Sequence, residues 1–284
     1  MVTGANGQLG SEIMDLSSCN NFFFTTKDTL DITNKALVEK YVEINEISII
    51  VNCAAYTSVD KAESEKLLAN EINHLAVKYL AQVSKDKNIK LIHLSTDYVF
   101  DGNFYAPYKE TDVPNPKGVY GVTKLDGEKA ILEVNPNNSI IIRTSWLYSP
   151  YGNNFVKTMI RLGHEKNKLG IVFDQVGSPT YARDLAKTIL QIIKSDLKNK
   201  NVEIYHYSNE GVLSWYDFAK EIMEMAKLVC NINPIETYQY PTPALRPYYS
   251  LLNKAKIKRD FNIEIPYWKE GLADCLKRLG ERCC

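Results

Sequence analysis

Short β-branched runs alternate along the chain with longer stretches whose apolar positions recur at helical spacing. Ser48–Cys53, Lys90–Ser95, Ser139–Arg143, Gly170–Phe173 and Glu203–Tyr207 read as strands, and the aromatic run Asn21–Thr26 reads as an early second strand. The helical spacing predicts helices over Leu9–Ser17, Asn34–Ile44, Ile72–Lys87, Gly118–Glu133, Asn153–Glu165, Ala182–Ser195 and Ser214–Lys227. Ser214 ahead of Trp215-Tyr216-Asp217 has the form of an N-cap with an acidic first turn. Such alternation predicts an α/β fold: a doubly wound parallel sheet with helices on both faces. The texture changes after about Pro234. Pro234, Pro241, Pro243, Pro247 and Pro266 punctuate a Tyr-rich stretch with few strand-like runs. This stretch is read as a smaller C-terminal region of loops and helices.

Composition narrows the picture without changing it. The 284 residues make one large domain or two modest ones, long enough to bury a sizeable core. Lys plus Arg equals Asp plus Glu, and no basic stripe points to nucleic acid. No apolar run reaches the ~20 residues that span a bilayer, and the N-terminus carries no signal-peptide pattern. Cys19, Cys53, Cys230, Cys275, Cys283 and Cys284 show no metal-ligand spacing. They read as free thiols in a reducing, cytoplasmic setting. Cys283-Cys284 has the form of a double-Cys prenylation end, but no polybasic segment precedes it, so no lipid anchor is expected.

The first chemistry is in Val2-Thr-Gly-Ala-Asn-Gly-Gln-Leu-Gly10. Gly4, Gly7 and Gly10 stand three apart, between a short strand and an apolar helical pattern. A loop of this kind turns sharply into a helix whose N-terminus can receive a pyrophosphate, as in Rossmann-like folds. The strand Met1-Val2-Thr3 is shorter than usual for such a unit: either residues are missing before it or the strand is unusually short. At the end of the second strand, Lys27 beside Thr25 and Thr26 suits a 2′-phosphate and NADPH, whereas Asp28 keeps NADH open.

The second chemistry is a Tyr–Lys pair. Tyr120 and Lys124 are four apart on a predicted helix and share a face. A nearby ammonium favours the phenolate and lowers a tyrosine's proton affinity, so the pair is expected to exchange a proton with a carbonyl or alcohol oxygen. Thr96 follows the strand Lys90–Ser95, at the carboxyl end where ligands bind in such sheets. It can hydrogen-bond a substrate oxygen. Thr96, Tyr120 and Lys124 together form a candidate oxidoreductase site.

With these motifs in place the chain resembles the extended short-chain dehydrogenase/reductases, and within them the dTDP-4-dehydrorhamnose reductase family. The likeness rests on the glycine loop, Asn52-Cys-Ala-Ala-Tyr-Thr57, Ser95-Thr-Asp-Tyr-Val-Phe-Asp-Gly102, Tyr120-Gly-Val-Thr-Lys124 and Arg143-Thr-Ser-Trp-Leu-Tyr148. It continues through Phe173–Ala182, Tyr205–Gly211, Ser214–Ala219 and Arg246–Ser250, nearly the whole chain. The resemblance implies an NAD(P)-binding domain over residues 1–150, with later segments returning to it. Residues 151–284 would be mostly a mixed α/β substrate-binding region sharing the cleft. It also implies reduction of a nucleotide-sugar 4-ketone, with Thr96, Tyr120 and Lys124 catalytic. Gly4, Asn6, Gly7, Gln8, Leu9, Gly10, Lys27, Asp31, Ile32, Ala54, Ala55 and Tyr56, with Tyr120 and Lys124, would hold the cofactor. Thr96, Asp97 and Trp146 would touch the sugar, and Arg246 the diphosphate.

Some members of the family bind Mg2+ through glutamates, in one case across a dimer. Glu12 matches one such ligand, but Arg183 stands where another would align, so no metal site is expected; the chain would act as a monomer or homodimer. Related epimerases and 4,6-dehydratases share the loop and the Tyr–Lys pair. The dehydratases follow the active-site Thr with Asp-Glu, whereas Thr96 here precedes Asp97-Tyr98. Epimerases hold NAD tightly, which the missing acid at the second strand's end argues against. A non-catalytic subunit on this fold, like the regulatory subunit of methionine adenosyltransferase, is the remaining alternative.

Overall fold

The computed structural model describes residues 1–17, 21–196 and 199–281; Cys19, Cys283 and Cys284 lie outside them. In chain order the strands are β1 Val2–Thr3, β2 Phe24–Thr25, β3 Ile49–Asn52, β4 Lys90–Thr96, β5 Ile140–Thr144, β6 Leu147–Tyr148, β7 Lys168–Val172, β8 Val176–Gly177, β9 Thr180–Tyr181, β10 Glu203–Tyr207, β11 Leu213–Ser214 and β12 Asn231–Ile235. The helices are α1 Gln8–Leu16, α2 Lys35–Ile44, α3 Val59–Ala62, α4 Lys66–Asn70, α5 Ala76–Asp86, α6 Val119–Val134, α7 Phe155–Glu165, α8 Ala182–Lys194, α9 Trp215–Met225, α10 Ala255–Phe261 and α11 Trp268–Arg278. No helix among the described residues is long and apolar enough to cross a membrane.

The central sheet is parallel throughout, in the order β10-β5-β4-β3-β1-β2. Its middle strands carry Leu91, Ile92, Ile140, Ile141 and Ile142, all fully buried. Such continuous apolar runs suit a parallel sheet covered on both faces. Val38, Leu80 and Ile131 from α2, α5 and α6 cover one face. Ile13, Leu185, Ile189 and Ile257 from α1, α8 and α10 cover the other. The chain runs outward from β1 to β2, then crosses back past β1 to β3. That reversal opens a crevice at the carboxyl ends of the strands, the binding position in doubly wound sheets.

A second core gathers α7, α9 and α11 around Tyr148, Phe218, Ile222, Trp268 and Leu272. α9 begins with the expected cap: Ser214 and Asp217 form a reciprocal capping box. Two expectations need correction. The Gly170–Phe173 run is a strand, but β7 lies outside the central sheet and pairs in parallel with β12. It is only partly buried, as suits a two-stranded ribbon. β12 contains Pro234, which the sequence had marked as the end of strand-like structure. An edge strand tolerates a proline because one side of it needs no N–H donor.

Candidate active site

Backbone geometry shapes the glycine loop. Gly4 has φ +64°, and a Cβ there would stand 2.7 Å from the Ala54 nitrogen, so β1 and β3 approach through it. A Cβ on Gly10 would meet the Gly4 carbonyl at 2.5 Å, so α1 presses onto its own loop. Gly7 caps α1 in extended conformation with no side-chain hydrogen bond. The first N–H groups of α1 therefore remain available to an anion.

From this loop a cleft of about 940 Å³ runs along the strand ends. Gly4, Asn6, Gly7, Gln8 and Leu9 line it, as do Lys27, Asp31 and Ile32 at the end of β2 and Ala54 and Ala55 beyond β3. Thr96, Asp97, Tyr120, Lys124 and Trp146 line its other end. Three expected residues are not on its wall. Gly10 acts through its contact with Gly4. Tyr56 turns away, its hydroxyl donating to Glu65 Oε2 at 2.7 Å and its ring packed beside Ala62 and Ala69. Arg246 holds Asp60 with both terminal nitrogens, at 2.8 and 3.1 Å.

α6 brings the proton-transfer residues to the cleft. Its N-terminus is held by Glu63, which accepts from the Val119 N–H at 2.8 Å. Gly121 lets the helix press on the turn after β4, since a Cβ there would lie 2.3 Å from the Tyr98 carbonyl oxygen. That approach seats half-buried Tyr120 against Thr96, with the Tyr98 ring edge-on at 5.5 Å. Thr96 Oγ1 accepts from the Tyr98 N–H at 3.2 Å and donates to Asp97 Oδ1 at 3.0 Å. The other Asp97 oxygen is buried and makes no close hydrogen bond among the described residues.

The electrostatics differ from the expectation at Tyr120. Burial pushes its phenol up to about 12; a hydrogen bond with Thr96 opposes this, and Asp97 reinforces it. The Lys124 nitrogen donates to the Leu94 carbonyl at 2.6 Å. Burial lowers Lys124 to about 8, with Glu128 and Cys53 opposing. Burial also lifts the Asp97 carboxyl to about 7, against the hydroxyls of Thr96 and Ser250. The cleft thus presents a protonated phenol, the form that donates a proton.

Trp146 adopts φ +49°, unusual for a bulky residue, and stacks on Trp215 with centroids 3.6 Å apart. Trp215 also lines the cleft and was missed as a site residue. The available signal was the Ser214 cap, which fixes Trp215 as the first residue of α9. Glu12 is clasped by two arginines. Arg183 reaches its Oε2 at 3.0 Å, and Arg278 reaches its two oxygens at 2.6 and 2.8 Å. Two guanidinium groups already neutralise this carboxylate.

Comparison with known proteins places this geometry in context. The family model described as the RmlD substrate binding domain matches residues 1–281. A dTDP-4-dehydrorhamnose reductase of Aggregatibacter actinomycetemcomitans is 43% identical over 283 residues, covering 96% of each chain. The enzyme of that name from Escherichia coli K12 is 40% identical, covering 98% of this chain and 97% of its own. The crystal structure of the Bacillus anthracis dTDP-4-dehydrorhamnose reductase in complex with NADP superposes with a TM-score of 0.92, at 40% identity over 98% of both chains. A Streptomyces venezuelae dTDP-glucose 4,6-dehydratase, 16% identical with a TM-score of 0.80 over 97% of this chain and 95% of its own, shares the fold.

Proposed function

Because the chain belongs to the dTDP-4-dehydrorhamnose reductase family, we propose that it reduces the 4-keto group of dTDP-4-dehydro-L-rhamnose to dTDP-L-rhamnose with NADPH. The observation that carries this reading is the pairing within one cleft of an uncapped glycine-loop helix with a protonated Tyr120 beside Thr96. The cofactor fits residues already in place. The α1 N-terminus suits its pyrophosphate, Asp31 and Ile32 its adenine end, and Ala54 and Ala55 its length. When bound, the reduced nicotinamide supplies a hydride to the sugar carbonyl carbon. Thr96 then orients the carbonyl oxygen, and Tyr120 gives its phenolic proton to that oxygen as negative charge develops there. Trp146 and Asp97 wall the sugar. Arg246 serves the diphosphate only by exchanging its bond to Asp60. Tyr98 stands where a dehydratase would need its second carboxylate, which favours reduction over elimination.

Residues 1–150 with β10 form the cofactor half in this reading, and most of 151–284 the substrate half. The Glu12–Arg183–Arg278 cluster supports work without Mg2+; the reading otherwise places the chain in the cytoplasm, as a monomer or homodimer. The direct test is NADPH oxidation with dTDP-4-dehydro-L-rhamnose, the product identified by NMR. Formation of dTDP-L-rhamnose is expected. A protein that binds NADPH and the sugar nucleotide yet oxidises nothing would sink the reading.

Cofactor choice has its own test. Lys27 lines the cleft at the end of β2, near a ribose phosphate's expected position. Lys27→Ala is expected to raise the KM for NADPH roughly tenfold, the scale of one lost charge-assisted hydrogen bond. The KM for NADH should move far less; equal changes would remove Lys27 as the phosphate reader.

A further inference from the structure

Beneath the cleft, Thr3, Asn52 and His93 stand in register on the adjacent strands β1, β3 and β4. All three are buried, and His93 and Asn52 are fully so. Their hydrogen bonds form one line. Thr3 Oγ1 donates to Asn52 Oδ1 at 2.6 Å, Asn52 Nδ2 meets His93 Nδ1 at 2.9 Å, and His93 Nε2 faces Lys124 Nζ at 3.4 Å.

The backbone orients this line. The Ala54 N–H points at Asn52 Oδ1 at 3.2 Å, nearer than Thr3 Oγ1 at 3.4 Å, and an amide NH2 turned to that place would set donor against donor. The Asn52 amide NH2 therefore faces His93, whose Nδ1 must accept. A neutral imidazole has one N–H, so its proton sits on Nε2. His93 is held neutral: burial, aided by the Lys124 charge, pushes its imidazolium well below the ordinary range. Lys124 thus meets a donor on one side and the Leu94 carbonyl on the other. An ammonium, with three donors and no acceptor, is mismatched to the His93 side; an amine, with a lone pair, is matched.

We propose that His93, fixed in its Nε2–H tautomer by Asn52, is a positioning residue that holds down the proton affinity of Lys124, so that the lysine can serve as amine or ammonium near neutral pH. The other groups facing Lys124 act in the opposite sense. They are Cys53 beyond β3 and Glu128 one turn along α6, whose carboxylate is shared with Arg143 of β5 and Ser95 of β4. Burial by itself lowers Lys124, and the variants below separate its share from that of His93. The role of Lys124 in reduction rests on the reading given above; the tautomer and the lysine titration do not.

Two measurements on the full chain without ligand test it. In 15N NMR of histidine-labelled protein, His93 is expected to stay neutral with its proton on Nε2 from about pH 5 to 9. A proton on Nδ1 overturns the proposal. The second is the Lys124 titration by 13C-lysine NMR, assigned with Lys124→Met. Asn52→Leu frees the imidazole to move its proton to Nδ1 and offer Nε2 to the lysine. The midpoint is expected to rise by at least ~1 pH unit. In a His93→Leu background the same change should have no effect. A midpoint unmoved by Asn52→Leu, or moved equally without His93, overturns it. Should Asn52→Leu not fold, the wild-type tautomer decides. In the reductase assay the alkaline limb of kcat/KM is expected to shift with the midpoint. A variant that loses activity without shifting the limb would show His93 to be structural only.

Discussion

Tyr120→Phe is expected to lower turnover by at least ~100-fold, the scale of a lost general acid. The ring would keep its edge-on contact with Tyr98, so packing and cofactor affinity should be nearly unchanged. The state of the phenol gives the expectation its sign. Raised to about 12, the hydroxyl is protonated across the neutral range and suits the reductive direction, in which oxygen at C4 must gain a proton. Loss of rate in single-turnover NADPH oxidation, with NADPH binding unaltered by fluorescence titration, would meet the prediction. Turnover within a few-fold of the parent would remove Tyr120 from the chemistry.

Glu128→Ala is expected to be the costliest single change to stability, about 3–5 kcal/mol by chemical denaturation. Glu128 on α6 and Arg143 on β5 are both almost completely buried, with Nη2 and Oε2 2.6 Å apart and Nε bonded to both carboxylate oxygens. The guanidinium lies over the Phe100 ring, and Ser95 donates to the same carboxylate. Removing the acid leaves a buried guanidinium without its carboxylate. A loss below about 1 kcal/mol would place the pair with surface ion pairs instead. Glu128 is also one turn from Lys124, so a folded variant should show the lysine's proton affinity lowered further, because a negative neighbour has gone.

What the sequence disclosed and what it hid divide along one physical line. Signals carried by neighbouring residues were legible. The glycine spacing announced the loop, the β-branched runs announced the buried strands, and Ser214 announced the start of α9. Choices made between distant segments were not. Gly170–Phe173 has strand composition, but nothing local says that its partner is Asn231–Ile235 rather than the central sheet. Arg246 carries a charge suited to a phosphate, yet Asp60, 186 positions away, takes it first. The Tyr120–Lys124 spacing foretold the shared helix but not the bond from Lys124 to β4. Lys124 is long enough to find the Leu94 carbonyl on β4, and burial then governs the phenol. Trp215 escaped notice because its place beside Trp146 is decided by a left-handed backbone at residue 146 and room left at Gly177.

The clasp at Glu12 has a consequence for how the chain reaches its fold. This carboxylate lies on the first helix and is fully buried, yet Arg183 is 171 positions downstream and Arg278 266. During synthesis, at ~5–20 residues per second, the α1 acid is made long before either cation. Until they arrive, seating α1 on the sheet would bury a lone charge, so the helix has reason to stay loosely docked and wet. The arrival of α11 would then work as a completion signal. Glu12 gains its partners in two instalments, Arg183 from α8 and then Arg278 from α11, so the α1 face of the sheet is expected to tighten in two steps rather than one.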